Sequence, residues 1–245
     1  MRALSASELL GVWERGLAQQ PVQRALTLLS AACQETPPDV LAKLSIGQRD
    51  ACLLTLREWL FGSQLVSLAL CPHCGERLEL TFNVADIRVV SKVEPVSETF
   101  SLSLADYEVC FRLPNSLDLA TITSHKGVAA TRQTLLERCL VTAHRNGEEQ
   151  LAPQLPAEIV DAIAQQMSQA DPQADVQLAL DCPACNHQWQ ATFDILSFFW
   201  SEINAWAQRI LCEVHTLASA YSWSEADILA LTPWRRQFYL EMVSQ

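Results

Sequence analysis

Two copies of one cysteine motif stand far apart in the chain. The first is CPHCGERLELTF (71–82) and the second is CPACNHQWQATF (182–193), and the two align without a gap. Each copy holds two cysteines separated by two residues, a spacing that lets both sulfurs reach one metal ion. Structural zinc is four-coordinate and prefers thiolate ligands, so the two copies together complete one tetrahedral set. We therefore predict one structural Zn²⁺ per chain, bound by Cys71, Cys74, Cys182 and Cys185.

Other chemistry of paired cysteines fits these motifs less well. A redox dithiol opens a helix in a βαβ setting, whereas both motifs here lie between short strand-like runs. A disulfide between the motifs is disfavoured because the N-terminal sequence does not predict a secretory signal. Four thiolates leave no open coordination position for water, which argues against catalytic zinc. His73 and His187 are alternative ligands beside the cysteines, but we expect them to be exposed loop residues.

No catalytic residue set stands out in the remaining sequence. The chain contains no GxSxG, no HExxH and no glycine-rich loop of the phosphate-binding type. The cysteines outside the two motifs lie in apolar helix-like or strand-like patterns, and we expect them to be small buried hydrophobic residues: Cys33, Cys52, Cys110, Cys139 and Cys212. The sequence thus predicts a protein that is not an enzyme and has no small-molecule substrate.

Composition limits the partners and the compartment of the 245-residue chain. A net charge of -11 and a pI near 4.9 disfavour binding to a phosphate backbone. No apolar run approaches the roughly 20 residues needed to cross a bilayer. About half of the residues are apolar, which is typical of a globular protein with a real core. We predict a cytoplasmic protein without nucleic-acid partners or a membrane span.

Each cysteine pair is expected at the tip of a β-hairpin, and helices surround the two hairpins. Spacings of three and four residues between apolar positions predict helices near both ends of the chain, the first of them capped by Ser7. Between the motifs, TFSLSLADYEVCFRL alternates and predicts another hairpin. Helical segments are expected near 117–144 and 156–170, with a turn at Asn146-Gly147 between them.

The predicted fold class is α+β, with zinc-ribbon-like paired hairpins, N- and C-terminal helical segments and an inserted α+β lobe. The long insertion between the motifs is compatible with one shared ion, because loop-closure entropy grows only with the logarithm of loop length. Four regions follow from this reading: an N-terminal helical region (1–62), a composite zinc ribbon (63–87 and 174–196), the inserted lobe (88–173) and a C-terminal helical region (197–245).

Four segments of the chain, in order, resemble a known protein family. They are IGQRDACLLTLREWLFG, CPHCGERLELTF, DPQADVQLALDCPACNHQWQATFDI and the C-terminal segment that runs through YSWSEADILAL to PWRRQFYLEMV. They resemble proteins of contractile phage tails and extracellular contractile injection systems, of the baseplate hub assembly chaperone type of T-even phages. The resemblance implies a non-enzymatic role in baseplate assembly, with baseplate or hub proteins of a contractile tail-like particle as partners.

The C-terminal helices are the predicted partner-binding region. Four of the seven tryptophans lie at or after residue 200, and large aromatic and arginine side chains dominate interface energetics. The candidates on the terminal helix are Trp234, Arg235, Arg236 and Tyr239; the alternative is that its aromatic residues only build the helical core. We predict a zinc-stapled assembly factor or minor structural component of a contractile baseplate, and keep a generic cytoplasmic zinc-ribbon adaptor as the alternative.

Overall fold

The structure, a computed structural model, describes residues 1–89, 99–122 and 127–243. Two parts of the expected inserted lobe, residues 90–98 and 123–126, lie outside the described residues. Helices of the described part are α1 (Ala6–Gly16), α2 (Pro21–Ala32), α3 (Pro38–Lys43), α4 (Ile46–Phe61), α5 (Val84–Ile87), α6 (Ser116–Ile122), α7 (Val128–Cys139), α8 (Ala157–Ala170), α9 (Ile195–Tyr221), α10 (Glu225–Ala230) and α11 (Pro233–Val243). Its strands are β1 (Gln64–Leu70), β2 (Arg77–Asn83), β3 (Phe100–Leu104), β4 (Tyr107–Phe111), β5 (Leu140–Arg145), β6 (Glu148–Glu149), β7 (Val176–Asp181) and β8 (Gln188–Phe193). Helices and small antiparallel sheets make this an α+β protein, as predicted.

Local sequence explains where the helices α1 and α4 begin and end. The side chain of Ser45 caps α4, and the helix ends at Gly62, which has a φ of +88°. For α1 the predicted cap was wrong, because Ser5 and not Ser7 occupies that position. The reason lies three residues further on, where the carboxylate of Glu8 accepts the backbone N–H of Ser5 and completes a capping box.

The chain divides into two compact units. Residues 1–36 and 195–245 form the first unit, and residues 37–194 form the second. The division after residue 36 falls inside the expected N-terminal region of 1–62, so α3 and α4 group with the hairpins and the lobe. The division into four regions that we expect from the sequence stays a prediction.

The helix α9 supplies much of the core of the first unit. Its apolar residues recur at spacings of three or four, and a set of them is buried: Phe199, Ile203, Ile210, Val214 and Leu217. The indole N–H of Trp13 on α1 donates to Asn204 on α9 at 3.0 Å, which ties these two helices together. Although α9 is 27 residues long, neither it nor any other helix of the described residues is long and apolar enough to cross a membrane.

A four-stranded antiparallel sheet, ordered β3-β4-β5-β6, lies in the inserted lobe. The hairpin predicted from TFSLSLADYEVCFRL is confirmed as β3 and β4, which turn at Ala105 and Asp106. The prediction of helix near 117–144 was wrong for its last part, because residues 140–145 form β5. The segment contains β-branched Val141 and Thr142, which favour a strand, and it pairs antiparallel with β4.

The turn predicted at Asn146-Gly147 is present, but it joins two strands and not two helices. Both residues have positive φ, at +51° and +85°. Arg145 pairs with Glu148 across them, so they form the two-residue loop of a hairpin. Asparagine followed by glycine is the favoured sequence of such a loop, because both positions require the left-handed region.

Close backbone approach requires the glycine at position 47, in the first turn of α4. The N–H of Gly47 donates to a carboxylate oxygen of Asp171 at 2.8 Å in a buried contact. A Cβ placed on Gly47 would lie 2.0 Å from the other Asp171 oxygen and 2.9 Å from the backbone nitrogen of Ala174. The segment after α8 therefore packs on α4 at a distance that only glycine permits.

Replacing Gly47 with alanine is expected to destabilise the protein by about 1–3 kcal/mol, because overpacking forces the Asp171 segment to shift. Gly11→Ala in α1 is the matched control, since its nearest neighbouring atom lies 3.5 Å from the added Cβ. Alanine is the better helix former at such a site by about 0.5–1 kcal/mol. Urea unfolding should therefore show opposite signs for the two variants, and a neutral Gly47→Ala would contradict the tight contact.

Candidate metal centre and partner surface

The two cysteine motifs form equivalent hairpins. Strand β1 pairs antiparallel with β2, and β7 pairs antiparallel with β8. In the ungapped alignment of the motifs, the residue pairs of the first hairpin correspond to those of the second. For example, Leu70 pairs with Arg77, and the aligned residues Asp181 and Gln188 also pair. The prediction that each cysteine pair lies at a hairpin tip is confirmed.

The loops at the two tips also share their backbone hydrogen bonds. In each loop, the N–H of the first cysteine donates to the carbonyl five residues later, and the N–H four residues later donates back to that cysteine, at 2.8–2.9 Å. The donor residue of the second bond is Gly75 in one loop and Asn186 in the other, with φ of +76° and +55°. Glycine and asparagine adopt this left-handed conformation most readily. Their matching positions were a signal of loop geometry that the sequence reading did not use.

The loops bring all four motif cysteines together, although the two motifs are far apart in sequence. Their Sγ atoms lie within 4.8 Å of one another. Across the hairpins, the sulfur of Cys71 lies 3.7 Å from that of Cys185, and the sulfur of Cys74 lies 3.5 Å from that of Cys182. Zn–S bonds of about 2.3 Å in a tetrahedron place neighbouring sulfurs about 3.7 Å apart. The donor atoms thus have the type and number that a tetrahedral zinc site requires, and the two distances across the hairpins match its sulfur spacing.

One side of the cysteine cluster is apolar and the other faces solvent. Cys71 and Cys182 are 2% and 1% exposed and pack with Leu78, while Cys74 is at the exposed rim. The imidazole rings of the two histidines beside the cysteines stack on each other with centroids 5.4 Å apart. In the described part of the chain, the group that could hold an ion consists of the four cysteines without a histidine.

The thiols of the cysteine cluster differ in pKa. Burial alone would raise the pKa of Cys71, but hydrogen bonds from the backbone at Cys74 and His73 and from neighbouring thiols lower it to about 6. At Cys185 the backbone N–H of His187 favours the thiolate, yet burial and the adjacent sulfurs outweigh it and raise the pKa to about 12. Several neighbouring thiols cannot all become thiolates without strong mutual repulsion. A divalent cation between them would compensate this negative charge.

The cysteines outside the motifs do not share one environment. None of the chain's cysteines forms a disulfide. Cys139 is buried as predicted, and its burial raises the pKa of the thiol to about 11. The prediction was wrong for Cys212, which is exposed on α9, because its position falls between the buried rows of that helix. The remaining three are half-buried: Cys33, Cys52 and Cys110.

The structure divides the predicted partner-binding residues on α11 into two groups. Trp234 is 74% exposed and Arg235 is exposed beside it. Arg236 is only 5% exposed; its guanidinium pairs with Glu213 at 2.8 Å and also donates to the carbonyl of Leu231 at 3.0 Å. Two donor groups of Arg236 therefore contact the first unit itself, and its role in partner binding stays a prediction.

Tyr239 is half-buried and packs against the core of the first unit. Its ring packs edge-on against Trp223 at 4.9 Å and against Tyr221 at 5.9 Å. The sequence reading missed an exposed stripe on the opposite side, formed by Trp234, Phe238 and Met242. These three residues are four apart, which places them on one helix face, and the rings of Trp234 and Phe238 stack at 5.9 Å. The four-residue spacing in PWRRQFYLEMV was the available signal.

Comparison with known proteins identifies the family of this chain. The family model described as T4 bacteriophage base plate protein matches residues 7–200, which is well over half of the chain. The protein belongs to this family, and the family implies interaction with other baseplate proteins. No curated protein and no solved structure matches the chain. The matched range includes both cysteine motifs and ends before α10 and α11.

Proposed function

We propose that this baseplate protein is a non-enzymatic assembly factor or minor structural component whose hairpins are stapled by one zinc ion. The observation that carries the baseplate role is the family match over residues 7–200. The convergence of four sulfurs within 4.8 Å supports the staple. The protein then acts in the cytoplasm during assembly, and either leaves or stays in the finished particle.

In this proposal the metal fastens two distant parts of the chain as a composite zinc ribbon. The inserted lobe separates the hairpins in sequence, so the ion closes a long loop and stabilises the folded chain. The apolar cluster between the hairpins is small, with Leu78 its one buried non-cysteine residue among those described. Two-stranded sheets are marginally stable alone, which is why a metal is the expected source of stability here.

The exposed stripe on α11 is the proposed contact with a baseplate or hub partner. Trp234, Phe238 and Met242 present apolar area to solvent, and Arg235 lies beside them. Interface hot spots combine such aromatic residues with arginine. Arg236 and Tyr239 support this surface from beneath by attaching α11 to the rest of the first unit.

Deleting the gene tests the assembly role. The expected result is that sheath and tube proteins are still expressed, while electron microscopy shows few complete particles. Complementation with the wild-type gene should restore the particle count. Normal numbers of intact, contractile particles in the deletion strain would reject the assembly role and favour the adaptor with an unrelated partner.

Trp234→Ala with Phe238→Ala is expected to weaken partner binding by about 30-fold or more, since truncating a hot spot typically costs about 2 kcal/mol or more. Trp59→Ala is the matched control, because Trp59 is an exposed tryptophan at 48% on a helix of the second unit. Both proteins should keep the wild-type zinc content. These substitutions are sharper than truncation before Thr232, which also removes the ion pair of Arg236. Complementation of the deletion strain by the double variant would contradict the proposed surface.

A further inference from the structure

The strand β1 carries an exposed apolar stripe on one face of the first hairpin. The stripe consists of Val66, Leu68 and Leu70, which are 50%, 60% and 66% exposed. The opposite face of this hairpin meets the second hairpin, where the rings of Phe82 and Phe193 pack edge to face at 5.5 Å. Exposure of three consecutive outward positions on one strand distinguishes the β1 stripe from scattered surface hydrophobic residues.

The second hairpin serves as an internal control for the β1 stripe. The positions that correspond to the stripe in the ungapped repeat are Gln177, Ala179 and Asp181, and all three are exposed. Both hairpins form the same residue pairs, so the hairpin fold does not require large apolar side chains at these positions. The apolar character of the β1 stripe therefore needs an explanation other than folding.

The edge of β1 beside the stripe is also open. Within the described residues β1 belongs to a two-stranded sheet and pairs only with β2, which leaves the backbone groups of its other edge without strand partners. Exposed edges are usually protected by charged side chains or proline. Here three of the four outward side chains along β1 are valine or leucine, and the fourth is Gln64. Such an edge is suited to receive an additional strand.

The small area of the β1 stripe and the net charge of the chain indicate what kind of partner binds this edge. Three side chains are far fewer than the roughly 20–30 residues a side of a stable interface between folded proteins. An added strand gains backbone hydrogen bonds as well as apolar contacts, so a small stripe is sufficient for it. A net charge of -11 makes a second copy of this chain a poor occupant, since two such copies repel each other.

We infer that β1 accepts an extended segment of another baseplate protein as a third strand of its sheet. The segment carries apolar residues at alternate positions, which pack beside the β1 stripe, and basic residues at its flanks, which complement the acidic chain. This inference rests on the proposed baseplate role. It assigns a second contact surface, separate from the stripe on α11.

The test exchanges the β1 stripe for its counterpart in the repeat, as Val66→Gln, Leu68→Ala and Leu70→Asp. Purified baseplate proteins of the same particle are tested one by one against the wild-type chain and this triple variant by biolayer interferometry. We expect one of them to bind the wild-type chain and to bind the variant at least about 30-fold more weakly. Its binding should also slow hydrogen exchange of residues 64–70 and leave residues 176–181 unchanged.

Two controls separate docking from folding. The triple variant should keep the wild-type zinc content and melting temperature, because the second hairpin folds with the same residue types at these positions. Gln177→Ala with Asp181→Ala, on the equivalent face of the second hairpin, should leave binding unchanged. Loss of zinc in the triple variant would show that the stripe supports folding and would overturn the inference.

Four further outcomes would also overturn it. Equal affinity of wild type and triple variant would place the contact elsewhere, and a wild-type chain that binds none of the baseplate proteins would leave β1 without the proposed partner. A wild-type dimer in analytical ultracentrifugation that the triple variant abolishes would make a second copy the occupant. If the triple variant restores particles to the deletion strain, the baseplate role stands and docking at β1 is rejected.

Discussion

Replacing Cys182 with serine is expected to release the metal and to unfold the region around the two hairpins. The serine hydroxyl is a poor zinc ligand, and the three remaining sulfurs do not complete a tetrahedral site. Structural zinc contributes about 10–16 kcal/mol of apparent binding free energy in small zinc-finger peptides, while whole domains are stable by only about 5–15 kcal/mol. Cys71→Ser should act equally, since both cysteines are buried at the centre of the cluster.

Metal analysis and proteolysis measure this result. Protein purified under reducing, chelator-free conditions should contain about one zinc per chain, because four thiolates fill one site, and the serine variants should contain almost none. The variants should also melt at lower temperature and be cleaved faster by protease. Cys212→Ser is the matched control, since this exposed cysteine on α9 lies outside the cluster. Wild-type protein with almost no zinc, or with two metals per chain, would contradict the proposed site.

Replacing Asp118 with asparagine is expected to lower the free energy of unfolding by about 3–5 kcal/mol at neutral pH, the cost of breaking a buried ion pair. Asp118 is 0% exposed at the start of α6. Its carboxylate accepts two hydrogen bonds from Arg112 at 2.6 and 2.9 Å, one from Arg138 at 2.8 Å and one from the N–H of Asn115 at 3.0 Å. Both arginines are partly exposed and can be hydrated, so the low end of the range is expected.

The pH dependence of this effect has a definite sign. Burial alone would raise the pKa of Asp118, but hydrogen bonds from Arg112, from the Asn115 backbone and from Arg138 outweigh it and hold the pKa below its usual value. A lowered pKa gives stability that is complete above the unfolded-state value of about 3.9 and is lost as the pH falls through the folded-state value. The difference between wild type and Asp118→Asn should therefore shrink on acidification.

Urea unfolding at neutral pH and below about pH 3.9 measures this effect. Asp161→Asn is the matched control, since Asp161 pairs with Arg132 on the surface and solvent screens such a pair. Its stability change should be much smaller than that of Asp118→Asn at neutral pH. An Asp118→Asn variant as stable as the wild type would show that the two arginines do not depend on the carboxylate.

The amino-acid sequence by itself was sufficient for the hairpins, the four clustered cysteines and the baseplate family. The reason is that the two copies of the repeat align without a gap, and the two-residue spacer places both sulfurs of a motif at one hairpin tip. Alternating apolar residues likewise identified β3 and β4. The hairpins depend on residues close together in the chain, and the clustering of the cysteines agrees with the four ligands that one structural zinc ion would need.

Tertiary structure alone decided the features that depend on distant neighbours. Residues 140–145 are compatible with helix or strand, and pairing with β4 made them a strand. Trp234 and Arg236 both fit an interface by residue type, but the position of Glu213 buries Arg236 and leaves Trp234 exposed. The exposure of Leu68 follows from which face of the first hairpin meets the second. Burial is a property of the packed elements, so one strand or helix cannot specify which of its faces is covered.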